Sequence, residues 1–393
     1  MTRRQTFVLT PIFTSVVAIA MALIYPVSAI ARQATPAAPS MSANASVFAT
    51  GLNNPRGLAF GPDGALYVAE GGTGGSISTE GQCEQVIPPI GPYTGGMTGR
   101  ISKIGQDGAV TTVADNLPSS QTSAESGALI SGVADVVFLN GDLYAVLAGA
   151  GCSHGVADQP NAVLKVGDDG TTTQIADVSA FVMANPVAQP SPGDFEPDET
   201  TYSLIESGGM FYIVNPNHGA LDKVDPATGT ITRIIDFSAT YGHIVPTVVA
   251  VGSDGDFYVS NLSVFPVTPG NASIYKVTAA RDVSVFVEGL TAVLGLEFGP
   301  DGQLYALEMS GAASGQLPFA PGTGRVLRIE ADGALTPIAT GLNLPTGMTF
   351  GPDGNIYVSN NGFGAPAGAG EIVKIDLTMP LPAGGTPMAT PVS

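Results

Sequence analysis

Apolar residues recur along this chain in short alternating runs that Gly, Pro and Asp interrupt, and nowhere do they keep a 3.6-residue period long enough for an extended amphipathic helix. The first complete set is clearest. Residues 56–60 (RGLAF) predict one strand and residues 66–70 (LYVAE) a second. Between them, Gly61-Pro62-Asp63-Gly64 is a tight turn, in which Pro presets one φ and Gly accepts a positive one. Residues 99–104 (GRISKI) and 110–114, separated by Asp107-Gly108, predict a third and a fourth strand.

The set repeats. Residues 51–70, 289–308 and 341–360 are near copies, and residues 131–147, 200–215 and 246–261 are weaker ones. Aligned on Gly64, Gly141, Gly209, Gly255, Gly302 and Gly354, successive copies lie 77, 68, 46, 47 and 52 residues apart, a common unit with insertions of variable length. Four short strands in a repeat of roughly 45 residues predict an all-β fold, a six-bladed β-propeller of four-stranded antiparallel blades. The last unit ends after residues 371–375 (EIVKI) without a fourth strand, whereas residues 45–50 (ASVFAT) look like a fourth strand that precedes the first unit. An N-terminal strand completing the last blade would close the ring and remove its open edges.

Outside the repeats the chain changes character. Arg3 and Arg4, the uncharged apolar stretch that follows and Ala29-Ile30-Ala31 are the parts of an export signal, residues 1–31, with an uncleaved anchor as the alternative. A Pro/Ala/Ser linker follows at 32–45, the propeller is expected over 46–377, and 378–393 is a low-complexity tail. The expected location is extracellular or in the cell envelope. With 33 acidic against 14 basic residues and a net charge of −19, the chain is a poor partner for nucleic acid or for an anionic membrane surface. In an exported chain Cys83 and Cys152, in insertions of neighbouring units, predict a disulfide; two free thiols, or a metal pair with His154, are the alternatives.

The FGPDGxLYV turn, the return strand of the GxIxKI type and residues 245–261, 343–354 and 357–362 resemble NHL and TolB-like propellers, and among them the ScyD/ScyE family of exported bacterial proteins. The resemblance covers the whole expected propeller. It implies a six-bladed fold and an exported protein, and its name points to an auxiliary role in secondary-metabolite biosynthesis.

Candidate chemistry collects at one end. The longest insertions, residues 71–98, 149–161 and 311–323 together with the connection 179–199, all project to the face opposite the GPDG turns. The six second strands end at Glu70, Leu147, Asn215, Asn261, Glu308 and Asn360, so five carry a carboxylate or an amide. These five are candidates for binding at the channel mouth. Among them Glu70, Glu308 and Asn215 would suit Ca²⁺ as oxygen ligands, or would cap neighbouring loops. Arg56, Asp135, Thr247 and Thr346 are candidates for the channel wall, and Arg56 and Asp135 are also binding candidates at its mouth. His154, His218 and His243 fall on the same face without a metal-binding spacing.

No catalytic motif is present, and neither a nucleotide nor an organic cofactor is expected. The reading is a monomeric binding or scaffold propeller that recognises a small molecule or a protein at its mouth. A cation-dependent hydrolase or lactonase is the alternative.

Overall fold

A computed structural model describes residues 40–311 and 319–381. The predicted export signal, most of the linker and the end of the tail lie outside them. Six antiparallel sheets make up the described chain. Blade 1 holds Pro55–Phe60, Leu66–Glu70, Thr94–Ile104 and Val110–Gln121, with a short fifth strand at Ile130–Ser131. Blade 2 runs from Val133–Leu139 to Thr172–Asp177, blade 3 from Ser203–Ser207 to Ile231–Asp236, and blade 4 from Pro246–Val251 to Val283–Leu290. Blade 5 begins at Val293–Phe298 and ends at Leu335–Leu342.

Blade 6 closes the ring as the pattern predicted. Gly347–Phe350, Ile356–Asn360 and Gly370–Ile375 are completed by Ala45–Leu52, which pairs antiparallel with Gly370–Ile375 from Ala45 opposite Ile375 to Leu52 opposite Gly370. Hydrogen bonds start a little earlier than the expected boundary: Asn44 donates to the Ile338 carbonyl and Ser42 N–H to that of Thr340.

There is no single core. Six apolar clusters each fill the wedge between two neighbouring blades, the one between blades 1 and 2 uniting Ala69 and Ile101 with Val133 and Leu164. An aromatic pair bridges every wedge: Tyr67–Phe138, Tyr144–Phe211, Tyr212–Phe257, Tyr258–Phe298, Tyr305–Phe350 and Tyr357–Phe60, with ring centroids 4.5 to 5.2 Å apart. Such pairs are worth about 0.5–1.5 kcal/mol each beyond their buried area.

The repeated turn explains why these tyrosines hold still. In the GPDG turns, and in Gly252-Ser253-Asp254-Gly255, the Asp side chain accepts the backbone N–H two residues on and the hydroxyl of the Tyr four residues on, at Asp63–Tyr67, Asp254–Tyr258, Asp301–Tyr305 and Asp353–Tyr357. In three of these turns a Lys of the third strand, Lys103, Lys276 or Lys374, adds an ion pair to the Asp. The closing glycine has φ between +75° and +81° in all four turns, a region that only glycine enters without steric cost.

Candidate binding site at the channel mouth

The residues that end the second strands have a common role, and it lies inside the blades. Glu70, Glu308 and Asn360 each accept the backbone N–H of the residue 17 positions earlier, Asn53, Thr291 and Asn343, which opens the connection into their own blade. Each also bonds the residue after a glycine on the third strand: Glu70 pairs with Arg100, Glu308 with Arg325, and Asn360 donates to Glu371. Asn215 bonds Thr201 and Asp222, and Asn261 bonds Ile244 and Ser273. These are clamps between strand and loop, and none of the five lines the channel or its mouth. The expected ion ligands Glu70, Glu308 and Asn215 stand in blades 1, 5 and 3, with their polar atoms already engaged there. Among the described residues no group of three or more His, Cys, Asp or Glu is arranged to hold a metal ion.

First strands of all six blades line a central channel of 420 Å³. Asp135 and Thr346 face it, as the alignment of first strands suggested. The Asp135 carboxylate packs against blade 1 where a Cβ on Gly57 would lie only 1.8 Å from its oxygen, so Gly57 is required there. The Val136 and Leu204 N–H groups both donate to Asp135, yet burial pushes its carboxyl up to about 7. Burial does the same to Glu297 in the same channel, also to about 7. Tyr202 reaches from blade 3 to blade 6, its hydroxyl donating to the Thr346 carbonyl at 2.6 Å.

Tyr202 and Leu294 also line a second cavity, of 160 Å³, seated on the channel at its loop-rich end. Arg56 and Thr247 belong to this cavity. Most of its wall is apolar, including Ile90, Leu129, Leu262, Phe265, Met309 and Phe363. Arg56 is 6% exposed; its guanidinium donates to the Ile130 carbonyl and lies 5.9 Å from the Phe363 ring centroid.

The acidic side of this cavity comes from one segment that sequence reasoning passed over. Asp194-Phe-Glu-Pro-Asp-Glu199 enters blade 3 and meets all three histidines. Asp194 bonds His243 Nε2 at 2.6 Å, Glu196 stands 3.6 Å from His154 Nε2, and Glu199 pairs with His218. The histidines therefore face three different carboxylates. Burial opposes charge on Glu199, but His218 and the Asn217 and Thr200 amides hold its carboxyl below the ordinary range, and Glu199 in turn holds His218 above its own.

His154 is fully buried, which lowers it to about 4. Its Nδ1 lies 2.9 Å from Ser120 Oγ. Burial, followed by neighbouring carboxylates, raises Glu196 well above the carboxylate range, although Tyr93 donates its hydroxyl to it. Asp198 accepts from Ser153 N–H and Oγ at 2.8 and 2.7 Å. The readable signal was an acid-rich run inside an irregular connection; which partner each acid meets depends on three other blades.

Cys83 and Cys152 form the expected disulfide, with Cα atoms 6.3 Å apart. It joins the blade 1 insertion that delivers Ile90 and Tyr93 to the short helix Cys152–His154. A disulfide is the mark of an oxidising, extracellular-type compartment. Among the described residues no helix is long and apolar enough to cross a membrane.

No protein-family model and no curated protein matches this sequence. Solved structures do resemble it. A gluconolactonase from Xanthomonas campestris is 14% identical over 86% of this chain and 89% of its own, with a TM-score of 0.51. An auxiliary nutrient binding protein from Bacteroides thetaiotaomicron is 10% identical over 86% of this chain and 76% of its own, with a TM-score of 0.52. Virginiamycin B lyase from Staphylococcus aureus, 14% identical over 85% and 98%, scores 0.47. At these identities the likeness is one of fold.

Proposed function

We propose that this chain is an exported binding propeller that recognises a small molecule in the cavity at its loop-rich mouth. One observation carries the reading: insertions from different blades meet over the channel to enclose a mostly apolar cavity with a few convergent polar groups, the usual build of a small-molecule site. Propeller folds serve both enzymes and binding proteins, so the fold is compatible with the reading without choosing a ligand. Resemblance to the ScyD/ScyE family supports an exported propeller in the same way. Cation-dependent hydrolysis draws no support from Glu70 and Glu308, because each is bonded to an arginine and a backbone amide of its own blade.

The chain has no Trp. Phe265→Trp at the cavity rim therefore installs a single reporter next to Phe319. In a panel of sugars, lactones, organic acids and aromatic compounds, a true ligand raises the melting temperature, by about 2.7 kcal/mol of stability at a hundredfold excess over Kd. The same ligand shifts the Trp emission. Compounds that stabilise the chain but leave the emission unchanged would place the site elsewhere.

A further inference from the structure

Arg56 is the anomaly of this mouth. Arg100, Arg233, Arg325 and Arg328 are all more exposed, and each pairs with a carboxylate. Arg56 is the most buried of the five, and among the described residues it makes no ion pair. A carbonyl, the Tyr202 side chain and the face of Phe363 solvate it in part, and none of them is an anion. A buried cation without a counter-ion is costly, and an anion that arrives with its own apolar bulk relieves that cost.

We infer that the mouth cavity takes a small organic monocarboxylate with a flat apolar body, its carboxylate forked on Arg56 and its body between Phe363, Phe265 and Leu262. The inference rests on the binding reading above and adds the class of ligand. Charge balance supports it. Only Arg56, Asp194 and Glu196 among the lining residues can carry charge. Asp194 is paired with His243, and Glu196 accepts the Tyr93 hydroxyl and stands 3.6 Å from His154, so Arg56 is the one charged lining side chain that faces no group of opposite charge. Size agrees as well: a cavity of 160 Å³ compares with the roughly 150 Å³ that holds a benzene ring in an apolar protein interior. A guanidinium also suits a carboxylate, because two parallel N–H donors match its two oxygens.

Calorimetric titration of the folded chain with benzoate, benzamide and benzylamine tests this, on the parent and on Arg56→Met and Arg56→Lys. Benzoate is expected to bind about tenfold or more tighter than benzamide. Arg56→Met should remove that advantage while changing benzamide affinity little, which also certifies its fold; Arg56→Lys should keep part of the advantage. Should Arg56→Met fail to fold, the benzoate-to-benzamide ratio in the parent and in Arg56→Lys decides the matter. Equal binding of benzoate and benzamide, or a preference for benzylamine, overturns the carboxylate class and leaves the binding site standing. Absence of binding by all three at millimolar concentration, with no shift in Phe265→Trp emission, overturns the ligand class; the binding reading itself falls only if the wider panel also leaves that emission unmoved.

Discussion

Asp135 lies in the channel wall with two backbone donors and a carboxyl that burial holds at about 7, against an ordinary value of 3.8. Glu297 behaves alike in the same channel. A raised native pKa means that the folded chain holds a proton which the unfolded chain has already released. These two carboxyls therefore add stability below pH 4, and that contribution is lost as pH rises toward 7, by up to about 1.4 kcal/mol per pH unit and group. His154, lowered to about 4, works the opposite way between pH 4 and 6.5. Asp135→Asn isolates one contribution. The amide cannot ionise, but it can accept only one of the two N–H donors, so it should cost about 1 kcal/mol at pH 4.5. At pH 8 the variant should match or exceed the parent. Urea unfolding at the two pH values measures the difference, and a pH-independent gap would mean that Asp135 does not titrate in this window.

The closing strand Ala45–Leu52 shows what one element does for the ring. It hides the edge of Gly370–Ile375, and Phe48 stacks edge-on to Tyr357 at 5.3 Å. Leu52 is fully buried in the wedge between blades 6 and 1. Leu52→Ala should cost about 2–5 kcal/mol, the range for emptying a packed leucine site. Deleting residues 40–52 goes further, because it bares a strand edge as well as an apolar wedge, and edges left open invite self-association. Light scattering during thermal unfolding would register it as aggregation at a lower onset temperature than in Leu52→Ala. Equal onset for the two would assign the closure to side-chain packing alone.

At the scale of the whole molecule, loops from different blades have to be held over a common opening. The disulfide does this for blades 1 and 2, closing a loop across 69 positions. Chain-entropy reasoning gives about 4 kcal/mol for a closure of that length. Cys83→Ser with Cys152→Ser should lower the melting temperature accordingly and weaken any mouth ligand, since Tyr93 and Ile90 ride on the tethered insertion. Ligand affinity unchanged in the double variant would show that the insertion holds its shape without the bridge.

Fold and closure were legible because a propeller repeats a local rule. The glycine turn and the alternating strands act within some twenty residues and recur six times in order, four of them with an Asp that holds a Tyr, so the six copies imply six blades. Even the clamp of Glu70 and Glu308 follows that logic: of the two readings the sequence offered for these strand ends, ion ligand or loop cap, the bonds to Asn53 and Thr291 are those of the cap. The mouth was not legible in the same way. Tyr93, Glu196 with Tyr202, and Phe363 come from three separate segments with no shared spacing. Only the closing of the ring decides that Asp194, Glu196 and Glu199 each meet a different histidine, and that Arg56 is buried without a carboxylate. Hydrogen bonds and turns are short-range and leave a periodic trace in sequence; burial and charge compensation are set by distant chain segments, and they exist only once the blades have met.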